Sequence, residues 1–175
     1  MDRARGDGRA VIRYTILLAS AALALAACGG DRPPKAAMES ASRLLAAAIA
    51  RDRVAFEAQI DRPAVREDLR RQVADLARGA ALDVEGGPSE FALDRMISPA
   101  AFRVVRSGAG SAPARAPSAA EVGRQMRMVD RRHVCLSSVG DAGRCLFTFA
   151  KVKGGWRLVG MQAMTHSIEI ADAAG

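Results

Sequence analysis

Arg144-Cys145-Leu146-Phe147-Thr148-Phe149-Ala150-Lys151-Val152, Lys153-Gly154-Gly155, and Trp156-Arg157-Leu158-Val159-Gly160-Met161-Gln162-Ala163-Met164 decide the fold. Two runs rich in branched and aromatic residues flank a glycine turn, which is the pattern of a β-hairpin. Taking Gly154-Gly155 as a two-residue turn places Lys153 opposite Trp156 and Phe147 opposite Gln162. Just upstream, His133 to Ser138 reads as another strand, separated by Val139-Gly140-Asp141-Ala142-Gly143. The chain therefore ends in a three- or four-stranded antiparallel meander. A first turn centred on Gly140 sets Cys135 against Cys145 and His133 against Phe147.

Alternation then divides the meander into two faces. Val134, Leu136, Leu146, Thr148, Ala150, Val152, Val159, Met161 and Ala163 form an aliphatic face expected to meet helices. His133, Phe147, Phe149, Trp156, Leu158 and Gln162 form a mixed face. Of these, His133, Phe147, Phe149, Trp156 and Gln162 are the candidate ligand surface, with a second, partly covered core face as the plainer reading. A slip of one residue exchanges the faces.

Upstream the apolar period is helical. Met38, Leu44, Leu45, Ala48 and Ile49 share one face of a helix over 36–50. Arg51-Asp52-Arg53 interrupts, and Val54 to Ile60 follows as a short piece. Asp61-Arg62-Pro63 starts a longer helix that Gly79 ends, with Val65, Leu69, Val73 and Leu76 inward. Its charges, including Glu67, Arg71 and Asp75, read as a solvated face. A loop covers 79–87. Short helices are expected over 88–97, anchored by Phe91, Met96 and Ile97, and from Ser98-Pro99 through Arg106. Residues 107–117 are a low-complexity, flexible loop. Ser118 and Glu121 fit a capping box, so 119–129 is a helix or, alternatively, a strand. The class is α+β, with amphipathic helices on the meander.

The N-terminal segment has another purpose. Arg3, Arg5, Arg9 and Arg13 precede the apolar run Tyr14 to Ala27, which ends in Leu25-Ala26-Ala27-Cys28. This is the layout of a secretory signal. The run of 14 residues falls short of the roughly 20 that a spanning helix needs. Leu-Ala-Ala-Cys resembles a bacterial lipobox. That resemblance implies that residues 1–27 are cleaved and that Cys28 is acylated, with chains such as palmitate, as the new N-terminus. Gly29 in place of aspartate implies passage to the outer membrane, facing the periplasm. Residues 28–35 then form a tether, 36–166 one domain and 167–175 a tail.

The chain carries 26 basic and 19 acidic residues, a formal charge of +7. Its first 27 residues hold four arginines and two aspartates, which leaves +5 on the remainder. That charge suits anionic headgroups. It is no nucleic-acid signature in an exported chain. Cys135 and Cys145 are the two cysteines left after Cys28 and, in an oxidising compartment, are expected to pair.

No HExxH, GxSxG or phosphate-binding glycine loop occurs. His133 and Cys135 lie on one strand face, but only His166 could add an imidazole, so no metal and no cofactor are expected. The reading is a lipid-anchored, non-enzymatic envelope protein, held to the membrane through Cys28, with an envelope protein partner. The alternative is a carrier of a small apolar ligand.

Ala47-Ala48-Ile49-Ala50-Arg51-Asp52-Arg53, the stretch Asp61 to Arg70, and Gly155-Trp156-Arg157-Leu158-Val159 with Met161 resemble the domain-of-unknown-function family 2939. The resemblance implies a membrane-attached bacterial domain of helices followed by a sheet, with no assigned activity. A looser similarity is to cystatin-like and NTF2-like folds, in which helices lie on a curved antiparallel sheet.

Overall fold

The structure is a computed structural model and describes residues 32–80, 87–107, 115–163 and 167–171. Pro33–Gly175 forms one compact unit. The signal segment, Cys28 and the first half of the tether lie outside the described residues. So do most of the 107–117 loop and the end of the tail. No helix among the described residues is long and apolar enough to cross a membrane.

The helices are α1 (Lys35–Ala50), α2 (Arg53–Glu57), α3 (Arg62–Gly79), α4 (Glu90–Met96) and α5 (Ala119–Gly123). The strands are β1 (Arg103–Arg106), β2 (Met126–Met128), β3 (His133–Leu136), β4 (Phe147–Val152), β5 (Gly155–Met161) and β6 (Ser167–Ile170). Strands β2-β3-β4-β5 make an antiparallel sheet in chain order, and β1 pairs with β6 in parallel. The architecture is α+β with an antiparallel meander, as the sequence indicates.

Local chemistry sets the helix ends. Arg51 caps α1 in the left-handed region at φ 54°, donating its amide to Ala47 and Ala48. Asp52, Asp61 and Ser89 each accept a first-turn amide, from Ala55, Ala64 and Ala92, satisfying donors the helices leave free. Ser118 and Glu121 complete the capping box of α5.

Helix α1 buries Ala37, Ala41, Leu44, Leu45, Ala47 and Ala48 against the sheet. Phe56, Phe102 and Phe147 continue that core: Phe102 meets Phe56 edge-on at 4.9 Å and stacks on Phe147 at 5.1 Å. Such pairs contribute about 0.5–1.5 kcal/mol beyond the buried area.

Several expectations are corrected. Residues 99–106 are not one helix. Pro99–Ala101 makes a single 3-10 turn and β1 follows, because Val104 and Val105 pair with Ile168 and Glu169. Helix α5 stops at Gly123, and β2 begins at Met126 because its backbone pairs with β3. Residues 167–170 are no tail: Ile168 and Ile170 are buried in the core. Phe91 is exposed, with the Arg95 guanidinium 5.9 Å over its ring, and Leu93 takes the buried place. Leu76 is also exposed.

The charged face of α3 does more than meet water. Arg62, Arg66 and Arg70, one turn apart, reach Glu57, Asp94 and Glu90. Arg62 Nη1 lies 2.8 Å from Asp94 Oδ1 and also pairs with Glu57; Arg66 Nε donates to Asp94 at 2.9 Å; Arg70 pairs with Glu90. This ladder ties α4 to α3. The Glu57 carboxylate, more than burial opposes, raises the Arg62 pKa, and the Arg66 and Arg62 guanidiniums hold the Asp94 carboxyl below its usual value.

Candidate functional site

The two cysteines stand at disulfide distance, their Cα atoms 5.4 Å apart, inside the usual range for a bridge. They do not face each other across the strands. Cys135 opposes Thr148, and Leu136 opposes Phe147. Cys145 precedes β4, in a segment turned through Asp141 N to Ser138 O (3.2 Å) and Arg144 N to Asp141 O (3.2 Å).

That register lies three residues from a turn centred on Gly140, an odd shift, so the faces of β3 and β4 recombine. Val134 and Leu136 share the helix side with Phe149 and Phe147. The second turn is also displaced: Val152 pairs with Gly155, so Lys153-Gly154 makes the turn, with Gly154 at φ 94°. A bulge then leaves Val159 unpaired between Phe149↔Leu158 and Thr148↔Gly160. It brings Leu158 and Met161 to the same side.

The candidate ligand surface is thereby dispersed. Phe147, Phe149 and Trp156 are buried core. His133 is half-exposed at the start of β3. Gln162 lines a separate cleft with Gln72, Asp75 and Leu76.

The structure gathers a different set. The β2–β3 and β4–β5 turns lie at the same end of the sheet. Between them is an open concavity of about 690 Å³ lined by Arg131, Arg132, His133, Ala150, Lys151, Val152 and Lys153. Its floor is sewn by Lys151 N to Arg132 O at 3.0 Å. Asp130 organises the rim: its Oδ1 accepts from the amides of Arg132 (2.7 Å) and His133 (2.8 Å), and its Oδ2 lies 2.7 Å from His133 Nδ1. These bonds, the Arg132 amide first, hold the Asp130 carboxyl below the ordinary aspartate range. They leave Nε2 as the second hydrogen-bonding nitrogen of the His133 ring.

Arg131, Arg132, Lys151 and Lys153 are exposed and form no ion pair among the described residues. Four cations beside one oriented imidazole can hold an anion. Among the described residues no three His, Cys, Asp or Glu side chains gather as metal ligands.

Periodicity missed this site because its residues flank turns rather than fill strands. The legible signal is topological. In a meander, turns one and three fall at one end, and here Arg131-Arg132 and Lys151-Val152-Lys153 mark both.

Comparison with family models, with curated proteins and with solved structures returned no match. The resemblance to family 2939 rests on the quoted residues alone.

Proposed function

We propose that this is a lipid-anchored cell-envelope protein that binds rather than catalyses, with its anchor at Cys28 and its contact surface at the basic end of the sheet. The observation that carries the binding role is the concavity of Arg131, Arg132, Lys151 and Lys153 around an imidazole pinned by Asp130. Cations without carboxylate partners retain their field for an external anion. The sequence Leu25-Ala26-Ala27-Cys28 after a basic, apolar segment supports the anchor. The alternative, carriage of an apolar ligand on Phe147, Phe149 and Trp156, has little support. Those side chains are packed against the core, and Phe102 covers Phe147.

The anchor is tested by metabolic labelling with a fatty acid. The parent chain should incorporate label and fractionate with the outer membrane. Cys28→Ala should remain an unlabelled precursor, and label persisting in that variant refutes acylation at Cys28. More than one acyl chain is needed for stable attachment, at roughly 0.8 kcal/mol per buried methylene.

A further inference from the structure

We infer that the basic end of the sheet is a membrane-facing surface that takes the phosphate groups of anionic lipid headgroups. The inference deepens the binding role above and rests on its reading of a protein held at a membrane.

The geometry carries it in three ways. First, the cations come from two neighbouring turns, so they present a surface: Arg131 and Arg132 on one, Lys153 on the other, Lys151 beside them. Second, the aspartate at this rim is occupied. Asp130 spends its oxygens on the Arg132 and His133 amides and the His133 ring. Third, Val129, which opens the same turn with its amide donated to His133 O at 2.9 Å, is 55% exposed. An exposed aliphatic side chain beside basic residues suits the headgroup boundary, where charge meets phosphate and an apolar tip enters the interface. A free small anion has no use for Val129. The tether expected over 28–35 is shorter than that, because Lys35 already belongs to α1 and Pro33 is buried; the residues between Cys28 and Pro33 span at most about 18 Å when extended, which keeps the domain close to the membrane.

Each basic residue close to an anionic leaflet strengthens binding roughly fivefold, so losing three weakens it on the order of 100-fold at low salt. The test uses the full chain with Cys28→Ala, so that no acyl chain contributes, and measures co-sedimentation with phosphatidylglycerol/phosphatidylcholine vesicles. Arg131→Gln/Arg132→Gln/Lys153→Gln is compared with Arg53→Gln/Arg103→Gln/Arg124→Gln. Both triples remove the same charge from exposed positions, keep the signal segment, and are first matched for melting temperature. The rim triple should lose on the order of 100-fold and the other only a few-fold. Val129→Ser should weaken binding further.

Equal loss in both triples overturns the inference. So does equal binding to vesicles of phosphatidylcholine alone. Displacement by inorganic phosphate at constant ionic strength also overturns it, because the concavity is then a soluble-anion site. Failure of Cys28 labelling refutes the anchor and leaves this readout unchanged, so the two failures are distinguishable.

Discussion

Gln72 on α3 donates from Nε2 to the carbonyl of Met161 on β5 at 2.8 Å, and its Oε1 accepts the amide of Ala163 at 3.0 Å. A helix side chain thus completes the edge of a sheet. The rest of that edge is occupied in the same spirit. Asp68 Oδ2 accepts the Met161 amide at 3.2 Å. Leu158 exchanges bonds with Gln59 O and Asp61 N, both 2.9 Å, and Ser40 Oγ donates to Trp156 O at 2.8 Å. An open edge strand invites pairing with another chain, and covering it removes that hazard. Gln72→Ala is expected to destabilise the domain by about 1–3 kcal/mol, since it strands backbone groups that are out of water. Urea denaturation checks this; an unchanged midpoint would show that water replaces the amide.

Gly160 makes the Asp68 contact possible. A Cβ at Gly160 would meet Asp68 Oδ2 at 2.8 Å and Cγ at 3.2 Å. Gly160→Ala therefore forces the carboxylate off the Met161 amide, at a cost of about 1–3 kcal/mol. In an Asp68→Ala background the same change should cost much less. A double-mutant cycle measures the coupling, and strict additivity would falsify the steric account.

Asp94 gives the α3–α4 contact a pH dependence. The Arg66 and Arg62 guanidiniums hold its folded pKa below the ordinary aspartate value of 3.8. The stabilisation is therefore fully present above about 3.8 and is lost as pH falls through the lower folded value. The Asp94 side chain is 43% exposed, so solvent screening limits the gain to roughly 1 kcal/mol or less. Parent and Asp94→Asn stability curves should separate at neutral pH and converge in acid. Curves that stay parallel down to the acid limit would contradict this.

Cys135 and Cys145 enclose the segment that holds β6. Within it, Val139 N donates to Glu169 O at 3.1 Å, and Ser138 Oγ accepts the Glu169 amide at 2.9 Å. We expect the bridge to form in an oxidising compartment and to contribute about 2 kcal/mol. Cys135→Ser/Cys145→Ser should lower the melting temperature and accelerate amide exchange across Ser167–Ile170. Quantitative labelling of both thiols without reductant would refute the bridge. Unchanged exchange in β6 would refute the clasp.

Much of this fold is legible in the sequence because its helices carry their own punctuation. Asp61-Arg62-Pro63, the Ser118–Glu121 box and the Leu44/Leu45 stripe each encode a local decision, and each is realised. The meander is legible as strands but not in register. Nothing local announces the Val159 bulge or the three-residue offset of the first hairpin, in a register where Phe147 and Phe149 are both buried and Phe147 stacks on Phe102. Strand β6 is equally silent: Ser167-Ile168-Glu169-Ile170 is too short to stand out, and its partner lies far back along the chain. The basic concavity escapes a strand-by-strand reading because it belongs to two turns. Cys135 and Cys145 still come within bridging distance in the shifted register because the hydrogen-bonded turns at Ser138–Asp141 and Asp141–Arg144 carry Cys145 back to Cys135.

The parallel pairing of β1 with β6 also orders events in time. Arg103 lies against Ser167, so strands far apart along the chain must meet before Ile168 and Ile170 can enter the core. Pairings this distant close late, because their loop entropy is lost before contacts form. A chain delivered N-terminus first presents α1, α3 and the meander early. It cannot seal its core until β6 arrives. Strand β6 is thus a late piece of a vectorial assembly, and an emerging chain stalled before residue 167 is left with an unsealed apolar surface for a chaperone to shield.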